Sequence, residues 1–267
     1  MAQYVLMAVT VNNGRVEAVG ILNGKVAIVT GAGRNIGRAI ALALADGGAS
    51  IVVNARGNQA EADAVAREIE VLGGKAQVHI GDVADAAAVQ AMAEIAVKHF
   101  GRIDILVNNA ALRREKPFDE MDYAEWREIL DVTLDGAFHC TKACLPALRQ
   151  SGAGAIVNIG GLSAHTGAKN RAHVVTAKAG IVGFTRALAY DLASDGITVN
   201  CVVPGLIGTP RPKVKPEPAH HLVHQTITGE RGKPEDVAAA VRFLCGPGAR
   251  YINGQAIHAN GGAYLGA

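Results

Sequence analysis

The chain has 267 residues, of which 49% are hydrophobic and 19% are charged. This apolar fraction excludes a disordered chain, and the length suits a single α/β domain whose core needs no disulfide or metal. The 26 basic and 24 acidic residues leave a net charge of +2, which argues against nucleic acid or a membrane surface as the main partner. The four cysteines have no zinc-ligand spacing, so we expect free thiols and a cytoplasmic protein without a membrane anchor.

The first 21 residues differ in pattern from the rest of the chain. Tyr4–Val11 is strand-like, Asn12-Asn13-Gly14 is a turn signal, and Arg15–Ile21 is a second strand-like run, which together predict a hairpin. A leader without fixed structure, or a start site placed too early, explains the same residues equally well. We predict an N-terminal extension over residues 1–21 and one domain over residues 22–267.

From Leu22 onward, short apolar runs alternate with helical segments. The predicted strands are Lys25–Thr30, Ser50–Asn54, Gln77–Ile80, Asp104–Val107, Ala155–Ile159 and Thr198–Val203. Strands that are apolar along their whole length and alternate with helices are typical of a parallel sheet covered on both faces. The sequence therefore predicts an α/β fold, a single domain built on a Rossmann-type doubly wound parallel sheet.

The first of these strands ends in a glycine-rich turn that leads directly into a helix. The turn reads Thr30-Gly31-Ala32-Gly33-Arg34-Asn35-Ile36-Gly37. Gly31 permits a sharp bend, Gly37 lets the helix pack closely on the strand, and the helix N-terminus presents N–H groups to a pyrophosphate. Its place between a strand and a helix predicts a dinucleotide site.

These motifs resemble the short-chain dehydrogenase/reductase family. The turn is similar to the family's TGxxxGxG signature, with Asn35 in place of the middle glycine, and asparagine tolerates left-handed dihedrals better than most residues. The resemblance covers roughly residues 22–265 and is closest to the 3-oxoacyl-carrier-protein reductase branch. It implies an NAD(P)(H)-dependent oxidoreductase acting on a carbonyl or alcohol.

The resemblance also implies which residues contact the cofactor. Asp82 and Val83 match the segment that holds the adenine, Asn109 and Ala110 belong to a run similar to the family's NNAG, and Pro204, Gly205 and Thr209 match the segment at the nicotinamide amide. The turn residues Gly31, Gly33, Arg34, Asn35, Ile36 and Gly37 complete the set, together with Lys178 at the ribose.

The choice of cofactor is read from the end of the second domain strand. An acid there would bind the ribose 2′-hydroxyl of NAD, but the strand ends Asn54-Ala55-Arg56. Arg34 and Arg56 suit a 2′-phosphate, because guanidinium groups match phosphate geometry. The sequence thus favours NADP and leaves NAD possible, while a solvated surface role is the alternative for Arg56.

The resemblance implies a catalytic Ser, Tyr, Lys and Asn, of which only the Lys is retained. The segment Ala177-Lys178-Ala179-Gly180 fixes the register and places Lys178 at the family's Lys. Val174 then stands at the Tyr, Gly161 at the Ser and Thr133 at the Asn. Because valine cannot donate a proton, the standard proton relay is predicted to be absent.

Neighbouring polar residues are candidate substitutes. Ser163 would point to the same side as Gly161 if strand geometry continued, and it is a candidate substrate contact. His173 is adjacent to Val174 but rotated by about 100° on a helix, so it needs a local distortion to act, and a packed histidine is the alternative. Thr133 keeps a hydroxyl that can hold a water.

The segment after the sixth predicted strand is rich in Pro and Lys and matches the family's substrate lid. Lys213 and Lys215 favour an anionic substrate, with a solvated loop as the alternative. His220 and His224 have the i, i+4 spacing of metal ligands, but without a third ligand we expect no metal site.

Three functions therefore remain open. The first is redox turnover of a small-molecule substrate that the sequence does not identify. The second is a catalytically silent nucleotide-binding subunit, and the third is a non-redox enzyme that uses the cofactor as a scaffold. Because the family usually assembles into tetramers, the resemblance implies a homotetramer, or a hetero-oligomer with a homologous subunit, through Asp122–Gln150 and Ala172–Ser194.

Overall fold

The computed structural model describes residues 8–12, 15–209 and 225–266. In these ranges no helix is long and apolar enough to cross a membrane. The predicted histidine pair His220 and His224, and the lid lysines Lys213 and Lys215, lie outside the described residues.

A seven-stranded parallel sheet forms the centre of the domain. Its strands are β3 (Val26–Val29), β4 (Ser50–Ala55), β5 (Ala76–Ile80), β6 (Ile105–Asn108), β7 (Ala155–Ile159), β8 (Thr198–Pro204) and β9 (Ala256–Ala259). Their order is β5-β4-β3-β6-β7-β8-β9, and every neighbouring pair is parallel. The order reverses between β3 and β6, and ligands bind at such a switch point, beyond the carboxyl ends of the strands.

Helices cover both faces of this sheet. They are α1 (Asn35–Asp46), α2 (Gln59–Val71), α3 (Ala86–Phe100), α4 (Tyr123–Leu130), α5 (Gly136–Gln150), the short α6 (Ser163–Thr166), α7 (Ala172–Asp191) and α8 (Pro234–Cys245). A π-helical segment, Asp131–Asp135, joins α4 to α5. The doubly wound fold predicted from the sequence is confirmed.

The burial of both sheet faces explains why the central strands are largely apolar. In β4, Ile51 and Val53 belong to the core layer that also contains Ile40 of α1, whereas Val52 belongs to the layer that contains Met92 of α3. Successive side chains of a strand point to opposite faces, so both sets of positions must be apolar.

The N-terminal hairpin forms a separate two-stranded sheet. Strands β1 (Ala8–Asn12) and β2 (Arg15–Val19) pair antiparallel, with Ala8 opposite Val19. The predicted pairing is confirmed with shorter strands, while the assignment of residues 1–21 as an extension stays a prediction. The four cysteines are free thiols, and three of them are buried.

Candidate dinucleotide and catalytic site

A cavity of about 650 Å³ lies at the carboxyl ends of β3, β4, β5 and β6. Most of the predicted cofactor residues line it, namely Gly31, Gly33, Arg34, Asn35, Ile36, Gly37, Arg56, Asp82, Val83, Asn109, Ala110 and Thr209. The structure thus brings together residues that are up to 178 positions apart in the chain, from Gly31 to Thr209.

The glycine-rich turn has the geometry of a phosphate cradle. Gly31 has a φ of +61° and Asn35 a φ of +50°, so Asn35 takes the left-handed conformation expected of it. A Cβ on Gly37 would lie only 2.2 Å from the Gly31 carbonyl oxygen, which shows how closely α1 approaches the turn. No side chain caps the N-terminus of α1 at Arg34, and its first turn carries no acid. Its N–H groups and positive dipole end therefore suit an anionic ligand.

Two hydrogen-bonding side chains hold this turn against the end of β6. The Thr30 hydroxyl accepts hydrogen bonds from the backbone N–H groups of Asn109 and Ala110, each at 3.0 Å. The Asn109 carboxamide donates to the Thr30 carbonyl at 2.8 Å and to the Gly31 carbonyl at 3.1 Å. Because Thr30 is buried, these contacts fix one wall of the cavity.

Asn54 is buried at the carboxyl end of β4 and connects two other walls of the cavity. Its Oδ1 accepts a hydrogen bond from the Gly31 N–H at 3.3 Å, and its Nδ2 donates to the Gly81 carbonyl at 3.0 Å. The ring of His79 lies beside it, and burial lowers the pKa of His79. The next loop is held by Asp82, whose carboxylate accepts the Ala84 N–H at 3.0 Å.

Charged side chains also line the cavity, namely the exposed arginines Arg34, Arg56 and Arg113 and the acids Glu61 and Asp82. Arg34 and Arg56 form no ion pair with the described residues. Glu61 is an acid that the sequence reasoning missed, because we sought one only at the end of the strand. Asn58 caps α2 by accepting the Glu61 N–H at 3.2 Å, and the Asn-x-x-Glu spacing of such caps is the signal that could have found it.

Lys178 lies on α7, outside the lining of this cavity. It is 7% exposed, and its Nζ donates a hydrogen bond to the Ile159 carbonyl at 2.5 Å. Burial lowers the pKa of Lys178 to about 7, and the nearby Arg113 adds to the effect. A Cβ on Gly161 would have the Lys178 Cγ as its nearest neighbour, at 3.7 Å, so Gly161 lies directly against the lysine stem with room for a side chain.

Val174 is surrounded by apolar side chains. It is 4% exposed and packs in a cluster with Ile129, Leu130 and Ala177, against which Trp126 is partly buried. This position on α7 therefore presents no acid or hydroxyl of its own.

The geometry assumed for Ser163 was wrong. Strand β7 ends at Ile159, and Leu162 has helical dihedrals, φ −48° and ψ −42°. Ser163 therefore begins the short helix α6 rather than continuing a strand, so the alternation that placed it beside Gly161 does not apply. Its role as a substrate contact stays a prediction.

His173 and Thr133 are both buried. His173 is 0% exposed, neither ring nitrogen has a well-formed hydrogen bond among the described residues, and burial lowers its pKa. This environment favours the packed histidine that we weighed against a catalytic one. Thr133 lies in the π-helical segment, and its Oγ1 has no partner in the described structure, so its role in holding a water stays a prediction.

Pro204 and Gly205 lie next to the loop after β7 rather than in the cavity lining. The Pro204 carbonyl accepts the Leu162 N–H at 3.0 Å, and a Cβ on Gly205 would lie 2.6 Å from the Cβ of Asn260. Glycine is thus required where the chain leaves β8 and passes the C-terminal segment.

Comparisons with known proteins agree with the fold. Residues 31–264 match the family model described as enoyl-(acyl carrier protein) reductase. The 3-oxoacyl-[acyl-carrier-protein] reductase FabG of Staphylococcus aureus is 39% identical over 242 residues, which are 90% of this chain and 98% of that protein. The 3-oxoacyl-[acyl-carrier-protein] reductase of Synechocystis sp. is 40% identical over 246 residues, covering 91% and 98%.

Solved structures give the same result. A short chain dehydrogenase from Burkholderia cenocepacia J2315 in complex with NADP has a TM-score of 0.84 and 36% identity over 91% of this chain and 98% of its own. A 7α-hydroxysteroid dehydrogenase complexed with NADH and 7-oxo glycochenodeoxycholic acid has a TM-score of 0.83 and 35% identity, covering 91% and 96%. The chain belongs to the short-chain dehydrogenase/reductase family.

Proposed function

We propose that this protein binds NADP(H) in the cavity but lacks the tyrosine proton donor of standard carbonyl reduction. Three features support the binding: the uncapped N-terminus of α1, the cradle that a Cβ on Gly37 would fill, and the arginines Arg34 and Arg56 without ion pairs among the described residues. The similar Burkholderia protein in complex with NADP favours the same cofactor. Bound NADPH would supply a hydride to a carbonyl carbon.

The observation that carries the second half of the proposal is the apolar packing of Val174. Hydride addition to a carbonyl leaves an alkoxide that needs a proton, and Val174 provides neither a proton nor a hydrogen bond. Gly161 offers no hydroxyl to hold the substrate oxygen, and the Lys178 amine already donates to the Ile159 carbonyl. General acid catalysis contributes roughly 10²–10⁴-fold, so we expect reduction of carbonyl compounds to be slower by about that factor.

Restoring the missing side chains tests this proposal. The double variant Gly161→Ser/Val174→Tyr is assayed with NADPH and a panel of aldehydes and ketones, and we expect its turnover to exceed that of the wild type by about 10²–10⁴-fold. A matched control is Gly161→Ser/Thr176→Tyr, because Thr176 is exposed on the same helix. A folded double variant that binds NADPH without gaining turnover would contradict the proposal, as would fast reduction by the wild type.

A second candidate function is a nucleotide-binding subunit of a larger assembly. On α5, Phe138 is 49% exposed, and on α7, Tyr190 is 88% exposed, both within the segments that the family resemblance assigns to tetramer contacts. Exposed aromatic side chains are enriched at protein interfaces, which favours a homotetramer or a hetero-oligomer with a homologous subunit. Light scattering on the wild type and on Phe138→Glu tests this: we expect an oligomer that the variant weakens, and a wild-type monomer would contradict it.

A further inference from the structure

Glu61 lies against the glycine turn in the same cavity as Arg34 and Arg56. Its Cβ is 3.4 Å, and its Oε2 3.7 Å, from the position that a Cβ on Gly33 would occupy. The side chain is partly buried and lines the cavity together with Arg34 and Arg56. Among the described residues its carboxylate has no hydrogen bond and no ion pair, while its backbone N–H donates to the Asn58 side chain.

The two nicotinamide dinucleotides differ only at the 2′ position of the adenosine ribose. NAD(H) has a hydroxyl there, which donates a hydrogen bond to a carboxylate, whereas NADP(H) has a phosphate, which a carboxylate repels. A guanidinium group has the opposite preference, because it pairs with phosphate. The cavity lined by Glu61, Arg34 and Arg56 therefore contains groups suited to each of the two cofactors.

The exposure of these groups determines how strongly each acts. Arg34 and Arg56 are exposed, so solvent and salt screen their attraction for a phosphate. Glu61 is less exposed and lies against the backbone of the turn, where its charge is screened less. The carboxylate is thus able to offset part of the effect of the arginines.

We propose that Glu61 sets the preference of this protein between its two cofactors. It accepts a hydrogen bond from the 2′-hydroxyl of NAD(H) and opposes the 2′-phosphate of NADP(H), which Arg34 and Arg56 attract. The inference rests on the proposed binding of NADP(H). Its consequence is that the protein binds both cofactors, with a smaller preference for NADP(H) than the arginines alone would give.

A purely structural role for Glu61 makes a different prediction. A carboxylate in the first turn of a helix stabilises the helix through its dipole, whatever ligand is bound. In that case the loss of the charge lowers the stability of the protein but leaves the ratio of the two cofactor affinities unchanged.

The experiment is a titration of Glu61→Gln and the wild type with NADPH and with NADH, followed by nucleotide fluorescence. We expect the ratio of the NADH Kd to the NADPH Kd to rise about tenfold in Glu61→Gln. In Arg56→Ala we expect NADPH to bind about tenfold more weakly while NADH is little changed. Competition by adenosine 2′,5′-bisphosphate and by adenosine 5′-monophosphate isolates the ribose end and is expected to show the same shift.

Glu70→Gln is the matched control, because Glu70 is an exposed acid on the same helix, nine residues from Glu61 or about 13 Å along the helix axis. Its cofactor ratio is expected to equal that of the wild type, and thermal unfolding of all variants verifies that they fold. An unchanged ratio in folded Glu61→Gln that still binds NADPH would overturn this inference and leave the proposed function standing. If the wild type binds neither NADPH nor NADH, both the inference and the proposed function are overturned.

Discussion

The two halves of the sheet's carboxyl edge differ in their polar groups. Next to β3, β4 and β6, the carboxamides of Asn54 and Asn109 each join separate loops into the walls of one cavity. Next to β7 and α7, Val174 lies in an apolar cluster, the Thr133 hydroxyl has no partner among the described residues, and the Lys178 amine donates to a backbone carbonyl. The difference is that side-chain amides connect the loops in the first half, whereas apolar packing surrounds Val174 in the second.

Gly37→Ala is expected to have the largest effect on the half of the edge next to β3, β4 and β6, where the cavity lies. The new Cβ would lie 2.2 Å from the Gly31 carbonyl oxygen, so α1 must move away from the turn. We expect a loss of about 1–3 kcal/mol in the free energy of unfolding and NADPH binding weaker by about a hundredfold, measured by chemical denaturation and fluorescence titration. Gly183→Ala on α7 is the control, because nothing lies within 4 Å of its Cβ, and it should be neutral or stabilising. Unchanged NADPH binding in Gly37→Ala would contradict the close approach.

In the other half, next to β7 and α7, the buried amine of Lys178 gives a testable pH dependence. Burial lowers its pKa from the ordinary value to about 7 in the folded chain, so from pH 7 to about pH 10 the unfolded chain holds a proton that the folded chain lacks. The free energy of unfolding therefore rises with pH in that window, by up to about 1.4 kcal/mol per pH unit. Below pH 7 the folded chain carries the buried charge, and its full destabilising effect is present.

Lys178→Met removes this pH dependence. We expect the variant to be more stable than the wild type by on the order of 2 kcal/mol or more at pH 6.5, and the difference to shrink by pH 9. Urea denaturation at several pH values measures it. Parallel pH profiles for the two proteins would show that Lys178 keeps its ordinary pKa in the folded chain.

Asn54→Leu removes one of the side chains that connect the walls of the cavity. The substitution leaves the Gly31 N–H and the Gly81 carbonyl without this partner, which costs about 1–3 kcal/mol of stability. We expect NADPH affinity to fall about tenfold as the two walls loosen. Asn200→Leu is the matched control, since Asn200 is equally buried and bonds the backbone of Ile252 and Gln255 far from the cavity. If Asn54→Leu and Asn200→Leu bind NADPH with equal affinity, Asn54 contributes to stability and not to NADPH binding.

Thr133→Val is expected to have the smallest effect. Because the hydroxyl is buried with no partner in the described part of the chain, its replacement by a methyl group should raise the free energy of unfolding by up to about 1 kcal/mol. Thermal unfolding measures the change. A loss of stability instead would mean that the hydroxyl holds a water, as the sequence comparison with the family's Asn suggested.

The features that the sequence predicts well are those set by local pattern. Most of the six predicted strands were found because burial on both faces makes them largely apolar, and the glycine turn was found because its bends need Gly31 and Gly37. Strand β9 was missed as a strand because it is short and half-buried, and it contains His258, so its pattern is weak.

The features that the sequence could not predict depend on contacts between distant segments or on single dihedrals. The Asn-x-x-Glu spacing could have placed Glu61 in the first turn of α2, but that this turn packs on the glycine turn appears only in the folded chain. The helical conformation of Leu162, which redirects Ser163, follows two glycines whose dihedrals the apolar pattern does not encode. The bridge made by Asn54 likewise appears only when β3, β4 and β5 are adjacent in the sheet.

The most direct test of nucleotide binding without a proton donor is a single-turnover experiment on the wild-type protein. The protein is first saturated with NADPH, as followed by fluorescence, and is then mixed with the aldehyde and ketone panel while absorbance at the nicotinamide band is recorded. We predict saturable binding followed by hydride transfer at least about 100-fold slower than in Gly161→Ser/Val174→Tyr under the same conditions. Rapid oxidation of bound NADPH by the wild type with any member of the panel would contradict the account.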